Sequence, residues 1–196
     1  MSRRTLDVTL DELPRLPGEC LESCFWELAE DVEGADARFQ KEEWFSTTLL
    51  EWGPCGKLTV DGEKAQGFAQ FGPASLFPRL EQFRAGRISP DAIYLANCYV
   101  VRRARGRGIG THLVRTVARD LVDRGYFAVE AIGDREWAGG WVLPVTFLGA
   151  NGFAVVRDDP RFPLMRLDVR TAVEPERETV RAAVSLPSAA PAPGLA

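Results

Sequence analysis

Apolar positions recur with two different periods along the chain, and these periods divide it into predicted helices and strands. The clearest helical pattern covers residues 108–124, where apolar side chains lie three or four positions apart. These side chains are Ile109, Leu113, Val114, Val117, Leu121 and Val122. Gly125 follows at a position where glycine commonly ends a helix. A second long helix is predicted from about Asp36 to Trp52. Its predicted apolar face consists of Phe39, Trp44, Phe45, Thr48, Leu49 and Trp52.

Stretches rich in β-branched and aromatic residues predict the strands. They cover residues 5–13 (a short strand or an extended lead), 57–60, 65–72, 91–101, 127–133, 153–156 and 164–169. Asp61-Gly62 is typical of a tight hairpin turn and joins the second and third strands. Residues 19–31 and 142–152 indicate short helices, and residues 73–90 a long loop with a helical turn. The predicted order over residues 5–170 is β, α, α, β, β, β, α, β, α, β, β.

Length and composition predict one folded domain followed by a tail. The chain has 196 residues, of which 45% are hydrophobic, and this is enough to build the core of one domain. From Thr171 the composition shifts, and the final LPSAAPAPGLA contains no core-forming pattern. We therefore expect a domain over residues 1–170 and a flexible tail over residues 171–196, in which Glu174 to Val184 resembles a frayed helix.

Charge and cysteine usage exclude several kinds of partner. The formal net charge is −4 and the pI about 5.2, which argues against general electrostatic attraction to nucleic acid. No apolar run approaches the roughly 18 residues of a membrane span, and the start of the chain lacks the apolar region of a signal peptide. The four cysteines and single histidine lack the spacing of zinc ligands. We expect a cytoplasmic protein that binds no metal, nucleic acid or membrane.

Candidate chemistry is concentrated between the strand that ends near Val101 and the helix of residues 108–124. Four arginines and three glycines occupy residues 102–110. The first N–H groups of a helix have no intrahelical partner, and glycines let the backbone approach a phosphate group closely. The spacing G-x-G-x-G differs from the dinucleotide fingerprint G-x-G-x-x-G, and no lysine follows as in a P-loop. The segment does match R-x-x-G-x-G, from Arg105 to Gly110.

This turn resembles the acyl-CoA pyrophosphate motif of the GNAT acyltransferase superfamily. The order of elements and the segment FLGANGF (Phe147 to Phe153), similar to a second signature of the family, extend the resemblance over most of the chain. The resemblance implies an α+β fold with a mixed, mostly antiparallel sheet of about six or seven strands, splayed in the middle and flanked by about four helices. It also implies an N-acyltransferase that moves an acetyl group from acetyl-CoA to a primary amine of a small molecule or peptide, as a monomer or homodimer.

The resemblance assigns the cofactor site to the end of the strand and the turn after it. The turn would hold the pyrophosphate, Val100 would pair with pantetheine, and the Cys98 N–H would polarise the thioester carbonyl. A backbone donor aimed at developing negative charge contributes about 3 kcal/mol. The implied cofactor-binding residues are Val100, Val101, Arg105, Gly106, Arg107, Gly108, Ile109, Gly110 and Thr111.

The residues expected to transfer protons depart from the family's pattern. Leu148 occupies the position of the usual general-acid tyrosine, Trp141 that of an asparagine, and Tyr94 that of a glutamate base. Tyr94 and Tyr99 remain candidates for the acid, and strand alternation places them on opposite faces unless a bulge resets the register. The candidates for the base are Glu130, Asp134, Asp91 and Glu27.

Cys98 allows two mechanisms. Its thiol could accept the acyl group, but no histidine or lysine is evident nearby to activate it, which favours direct transfer in a ternary complex. The catalytic residues predicted from the sequence are therefore Cys98, through its backbone, with Glu130 and Tyr94. The alternative is a protein that binds acyl-CoA without turnover, as a sensor or interaction module.

Overall fold

An eight-stranded, mostly antiparallel sheet runs through the residues that the computed structural model describes, 3–32 and 34–173. Its strands are β1 (Arg3–Asp7), β2 (Gly56–Asp61), β3 (Lys64–Gly72), β4 (Ala92–Val100), β5 (Ala128–Asp134), β6 (Leu143–Pro144), β7 (Ala154–Arg157) and β8 (Leu164–Asp168). Their order across the sheet is β1-β2-β3-β4-β5-β8-β7, with β6 beside β5. The predicted fold class is confirmed, and the two-residue β6 is the strand that the sequence pattern missed.

Helices cover both faces of this sheet. They are α1 (Gly18–Leu21), α2 (Gly34–Glu51), α3 (Ile109–Asp123), α4 (Val145–Ala150) and a last helical segment at residues 169–173, with short 3-10 segments at Leu13–Arg15, Ala74–Leu76, Pro78–Gln82 and Arg102–Ala104. The apolar stripe of α3 packs on one face against side chains such as Phe71 and Leu95. Phe45 of α2 packs on the other face with Leu58 and Phe68. The strong 3.6-residue period of α3 explains why its limits were predicted to within a residue.

The buried side of α2 differs from the predicted one. Its fully buried positions are Ala37, Lys41, Phe45 and Thr48, which recur at helical spacing, whereas Phe39 is 65% exposed. Including Phe39 in the apolar face was therefore wrong. The predicted face was based on the aromatic residues of the helix. It is incorrect because one of the buried positions is a lysine, which an apolar pattern does not include.

The sheet opens between β4 and β5, as the resemblance implied. These parallel strands pair only from Ala92 to Tyr94 on β4, opposite Ala128 to Glu130 on β5. Beyond Tyr94, β4 continues without a partner on that side, and β6 joins the far end of β5 at Gly133 and Asp134. The strands therefore diverge and leave one edge of residues 95–100 free.

A β-bulge lies within β4 at the start of this free edge. Gln70 of β3 pairs with Asn97 and its neighbour Phe71 pairs with Leu95, so Ala96 is the extra residue. The extra residue resets the alternation of side chains. Tyr94 and Tyr99 both lie on the face opposite α3, among Trp26 and Phe77 for Tyr94 and beside Trp141 for Tyr99.

The C-terminal boundary of the domain stays a prediction. Residues 169–173 are helical, and Val173 is buried against the α3 side of the sheet. Of the tail predicted over residues 171–196, the part from residue 174 onwards, including the frayed helix, lies outside the described residues. Over residues 3–32 and 34–173, no helix has the length and apolarity that crossing a membrane requires.

Candidate functional site

A cavity of about 800 Å³ occupies the opening between β4 and β5. Three parts of the chain line it: residues 97–100 of β4, the arginine- and glycine-rich turn of residues 102–111, and the loop of residues 137–144. Phe147 of α4 and Glu19 of α1 also line it. The cavity thus joins the free strand edge to the N-terminus of α3. Its size falls within the range of binding sites for cofactors and other small molecules.

The turn before α3 has the geometry of an anion site. Gly106 and Gly108 both have a φ of +73°, a left-handed conformation that glycine adopts without strain. Gly108 precedes the first helical residue, and its carbonyl accepts a bond from the His112 N–H at 2.9 Å. A Cβ built on Gly106 or Gly108 would meet no atom within 4 Å, so the space in front of the turn is open. The first N–H groups of α3 are therefore available to a pyrophosphate.

Gly110 has a different role from the other two glycines. A Cβ at this position would lie 2.8 Å from Cε2 of Phe147. The absence of a side chain therefore lets α4 pack directly on the first turn of α3. Because substitution here would displace Phe147, it would disturb the fold as well as the cavity.

Seven of the nine residues predicted to bind the cofactor line the cavity. They are Val100, Arg105, Gly106, Gly108, Ile109, Gly110 and Thr111. The other two, Val101 and Arg107, do not line it. The Val101 N–H donates to the Gln66 carbonyl at 3.0 Å, towards β3. Arg105 orients its side chain with a bond from Nε to the Val100 carbonyl at 3.0 Å.

The free edge of β4 presents backbone donors to the cavity. Successive residues of a strand direct their N–H groups to opposite edges, and that of Val101 points towards β3. The N–H groups of Val100 and Cys98, one and three residues earlier, therefore point to the open edge. Both residues line the cavity. This is the orientation needed for pairing with an extended ligand and for polarising a carbonyl beside Cys98.

The Cys98 thiol is turned away from such chemistry. Its Sγ faces the Gly110 carbonyl at 3.7 Å, on the α3 side of β4. Burial raises the pKa of this thiol to about 12. The reactive thiolate is therefore scarce at neutral pH.

Tyr94 and Glu130, the other two predicted catalytic residues, lie outside the cavity. Both are fully buried. Burial raises the pKa of the Tyr94 phenol well above its ordinary value. Glu130 accepts bonds from Arg166 Nη1 at 3.0 Å and from the Ser89 N–H at 2.8 Å. These contacts make Glu130 part of a buried ion pair with Arg166.

The remaining candidates from the sequence are also engaged elsewhere. Asp91 pairs with Arg166 at 2.6 Å, Asp134 contacts Arg161 at 3.4 Å, and Glu27 pairs with Lys41. None of the three lines the cavity. Leu148, at the usual tyrosine position, is fully buried on the α3 side of the sheet. A tyrosine installed there would overpack the core instead of reaching the cavity.

Sequence reasoning named Tyr99 as a candidate acid but missed its partner in the cavity, Glu19. The Tyr99 hydroxyl donates to Oε2 of Glu19, and both residues line the cavity. Burial and, secondarily, the bond to Glu19 raise the pKa of the Tyr99 phenol to about 12. No local signal reveals this contact, because the two residues are 80 positions apart in the chain.

A second, smaller cavity of about 290 Å³ adjoins the first at this pair. Glu19 and Trp141 line both cavities. The remaining lining residues of the second cavity are Glu22, Ser23, Cys24, Phe25, Asp31 and Val32. It is thus bordered by three carboxylates, of which Glu22 pairs with Arg38 and Asp31 pairs with Arg79, whereas Glu19 has no cationic partner among the described residues.

Comparison with known proteins identifies the family of this chain and its fold. The acetyltransferase (GNAT) family model matches residues 20–136, more than half of the chain. No protein of curated function matches it in sequence.

Solved structures show the same fold at low sequence identity. The PaiA N-acetyltransferase from Thermoplasma acidophilum in complex with coenzyme A is 14% identical with a TM-score of 0.58, covering 86% of this chain and 99% of that one. An N-acetyltransferase from Staphylococcus aureus Mu50 is 17% identical with a TM-score of 0.58, over 86% and 99% of the two chains. The ribosomal-protein-alanine N-acetyltransferase from Brucella melitensis is 18% identical with a TM-score of 0.57, over 84% and 99%.

Proposed function

This chain belongs to the GNAT acetyltransferase family, and on that premise we propose that it transfers an acetyl group from acetyl-CoA to a primary amine. The observation that carries the proposal is the cavity at the opening between β4 and β5, which connects a free strand edge to a glycine-rich helix N-terminus. The N-terminus of α3 suits a pyrophosphate, and the free edge of β4 suits an extended pantetheine arm. The second cavity, which carboxylates border, suits a cationic amine. The acceptor is a small molecule or a peptide.

Each part of acetyl-CoA has a matching set of groups in the first cavity. The N–H groups between Gly108 and Thr111 bind the pyrophosphate, and Arg105 adds positive charge beside it. The Val100 N–H pairs with the pantetheine arm. The Cys98 N–H polarises the thioester carbonyl and stabilises the negative charge that develops on its oxygen when the amine attacks.

Transfer is direct, from the thioester to the amine within a ternary complex. The half-buried thiol of Cys98 has no described cation or imidazole beside it, and its pKa of about 12 disfavours attack on a thioester. His112, the only histidine, bonds to Thr5 Oγ1 at 2.9 Å and does not line the cavity. Burial lowers the pKa of its imidazole, with a smaller contribution from Arg3.

Replacing Cys98 with alanine should leave most of the activity intact, because the backbone N–H is retained and the thiol takes no part. We expect kcat to stay within about threefold of the wild-type value, as for a substitution that removes no catalytic contact. Intact-mass spectrometry after incubation with acetyl-CoA should find no acetylated Cys98. A labelled acetyl group on Cys98 that passes into the amide product would contradict direct transfer.

A protein that binds acyl-CoA without turnover is the second candidate function. The burial of Leu148 favours it, because the side chain at the usual general-acid position cannot reach the cavity. The experiment that decides combines calorimetry with acetyl-CoA and a screen of primary amines for release of free CoA. Binding together with CoA release is expected for the enzyme. Binding with no release above the hydrolytic background for any amine would favour the sensor.

A further inference from the structure

We propose that Glu19 is the general base of the acetyl transfer and that it exchanges protons with Tyr99, which serves as the general acid. This inference rests on the proposed function. Glu19 lies on α1, outside the strand from which the sequence predicted a catalytic carboxylate. Glu19 lines both cavities and accepts a hydrogen bond from Tyr99, and the other candidate carboxylates are paired with cations.

Glu19 lies where two substrates would meet. It lines both the large cavity, which holds the free edge of β4, and the small acidic cavity beside it. Trp141 is the other residue common to both, and its ring lies 6.4 Å from that of Tyr99. An amine that enters through the acidic cavity and a thioester held beside Cys98 therefore approach each other at Glu19.

The partner of Glu19 is suited to protonating a leaving group. Tyr99 follows Cys98 on β4 and donates its hydroxyl hydrogen to Glu19. Its phenol, whose pKa is raised to about 12, is protonated at neutral pH, as that of an unperturbed tyrosine is. A protonated phenol beside the thioester can supply the proton that the departing sulfur needs, and a carboxylate in contact with it can return that proton afterwards.

Glu19 differs from the other candidate carboxylates in having no cationic partner. The described residues place no lysine or arginine within ion-pairing distance of it, whereas Glu27, Asp91, Asp134 and Glu130 are all paired with a cation. The ionisable groups around the pair are Arg105 from the turn, Cys20 on α1, and Glu22 and Asp31 in the second cavity, where Glu22 is paired with Arg38 and Asp31 with Arg79. A carboxylate free of a fixed cation can accept a proton without breaking an ion pair.

The proton balance of the reaction follows from this arrangement. Glu19 takes one proton from the acceptor ammonium, and the freed nitrogen lone pair forms a bond to the thioester carbonyl carbon. The C–S bond then breaks, and the sulfur leaves with the bonding pair and takes the phenolic proton of Tyr99. Tyr99 recovers a proton from Glu19, and the nitrogen releases its second proton to solvent as the amide forms. The products are the amide, CoA thiol and one proton.

The test compares wild type, Glu19→Gln, Glu19→Asp and Tyr99→Phe, using acetyl-CoA and the amine that releases CoA fastest in the screen. At neutral pH we expect Glu19→Gln to lower kcat by about 100-fold or more and Tyr99→Phe by about tenfold or more, with Glu19→Asp partly restored. The loss in Glu19→Gln should shrink as the pH approaches the pKa of the amine, because a free amine needs no base. Calorimetry should give an unchanged Kd for acetyl-CoA in all four proteins.

The matched control is Glu43→Gln, the same chemical change at an exposed position of α2 outside both cavities. It should keep kcat within about threefold of wild type. A spectrophotometric titration of the tyrosines adds a readout that needs no acceptor: Glu19→Gln should lower the pKa of Tyr99, because the carboxylate helps to raise it.

Three results would overturn the proposal, and they are distinguishable. If wild type releases CoA and Glu19→Gln stays within about threefold of it at every pH, Glu19 is not the base and the proposed function still stands. If the loss in Glu19→Gln is the same at every pH, the residue has a structural role only. If wild type binds acetyl-CoA but no amine releases CoA, both the proposed function and this inference fail.

Discussion

Replacing Gly108 with valine is expected to weaken acetyl-CoA binding by about 100-fold or more, which corresponds to about 2.7 kcal/mol or more of binding free energy. Gly108 immediately precedes α3 with a φ of +73°, and the space in front of its Cα is open within the cavity. A β-branched side chain would fill the space that a pyrophosphate needs and would favour a different backbone conformation, which turns the first N–H groups of α3 away. Isothermal calorimetry with acetyl-CoA measures the effect directly.

The control variant Gly62→Val separates the loss of the pyrophosphate site from the general effect of a strained backbone. Gly62 has a φ of +60°, also has no atom within 4 Å of an added Cβ, and lies in the turn between β2 and β3, outside the cavity. Both substitutions should cost about 1–3 kcal/mol of unfolding free energy from the strained backbone. Gly62→Val should nevertheless keep the Kd for acetyl-CoA within about threefold. An equal loss of affinity in the two variants would contradict a pyrophosphate site at the turn.

The turn could be predicted from the sequence because its chemistry is local. Arg105 to Gly110 are adjacent in the chain, and the helix that follows has a strong apolar period. Local spacing therefore determined both the phosphate motif and the position of the helix N-terminus. The structure places seven of the nine predicted binding residues around one cavity for this reason.

The proton-transfer pair could not be predicted in this way. Glu19 and Tyr99 are brought together by the packing of α1 against the sheet, and no periodicity links positions 80 residues apart. The bulge at Ala96 also prevents the faces of β4 from being predicted by strict alternation. Alternation puts Tyr94 and Tyr99 on opposite faces, but the extra residue puts them on the same face. The position of the family's usual general acid does not identify the acid either, since Leu148 occupies it and lies in the core.

The buried face of α2 was predicted incorrectly for the same reason, because it depends on a contact between residues that are distant in the chain. A lysine in a helical pattern is normally assigned to solvent, but Lys41 is only 2% exposed because Glu27 supplies a charged partner. The partner comes from the irregular segment after α1, which a helical period cannot identify. A buried ion pair of this kind depends on the whole fold, and it holds the segment that carries Glu19 against α2 and β3.

Replacing Lys41 with methionine is expected to lower the unfolding free energy by about 3–5 kcal/mol, because it leaves the Glu27 carboxylate buried without a counter-charge. Both side chains are nearly inaccessible to solvent, and the same Glu27 oxygen that contacts Lys41 also accepts a bond from Gln70 Nε2 at 2.8 Å. Urea unfolding monitored by tryptophan fluorescence measures the loss. Changing Glu27 to leucine in the same chain should recover much of it, since the unpaired charge is then removed.

Arg38→Met is the matched control, on the same helix one turn earlier. Arg38 pairs with Glu22, and the two side chains are 55% and 49% exposed, so the loss should be below about 1 kcal/mol. A loss in Lys41→Met as small as that in Arg38→Met would contradict the buried pair. Because Glu27 lies in the irregular segment that directly follows the helix of Glu19, a partly unfolded segment in Lys41→Met should also lower kcat more than it weakens acetyl-CoA binding. No residue of the turn before α3 is among the described polar partners of this pair.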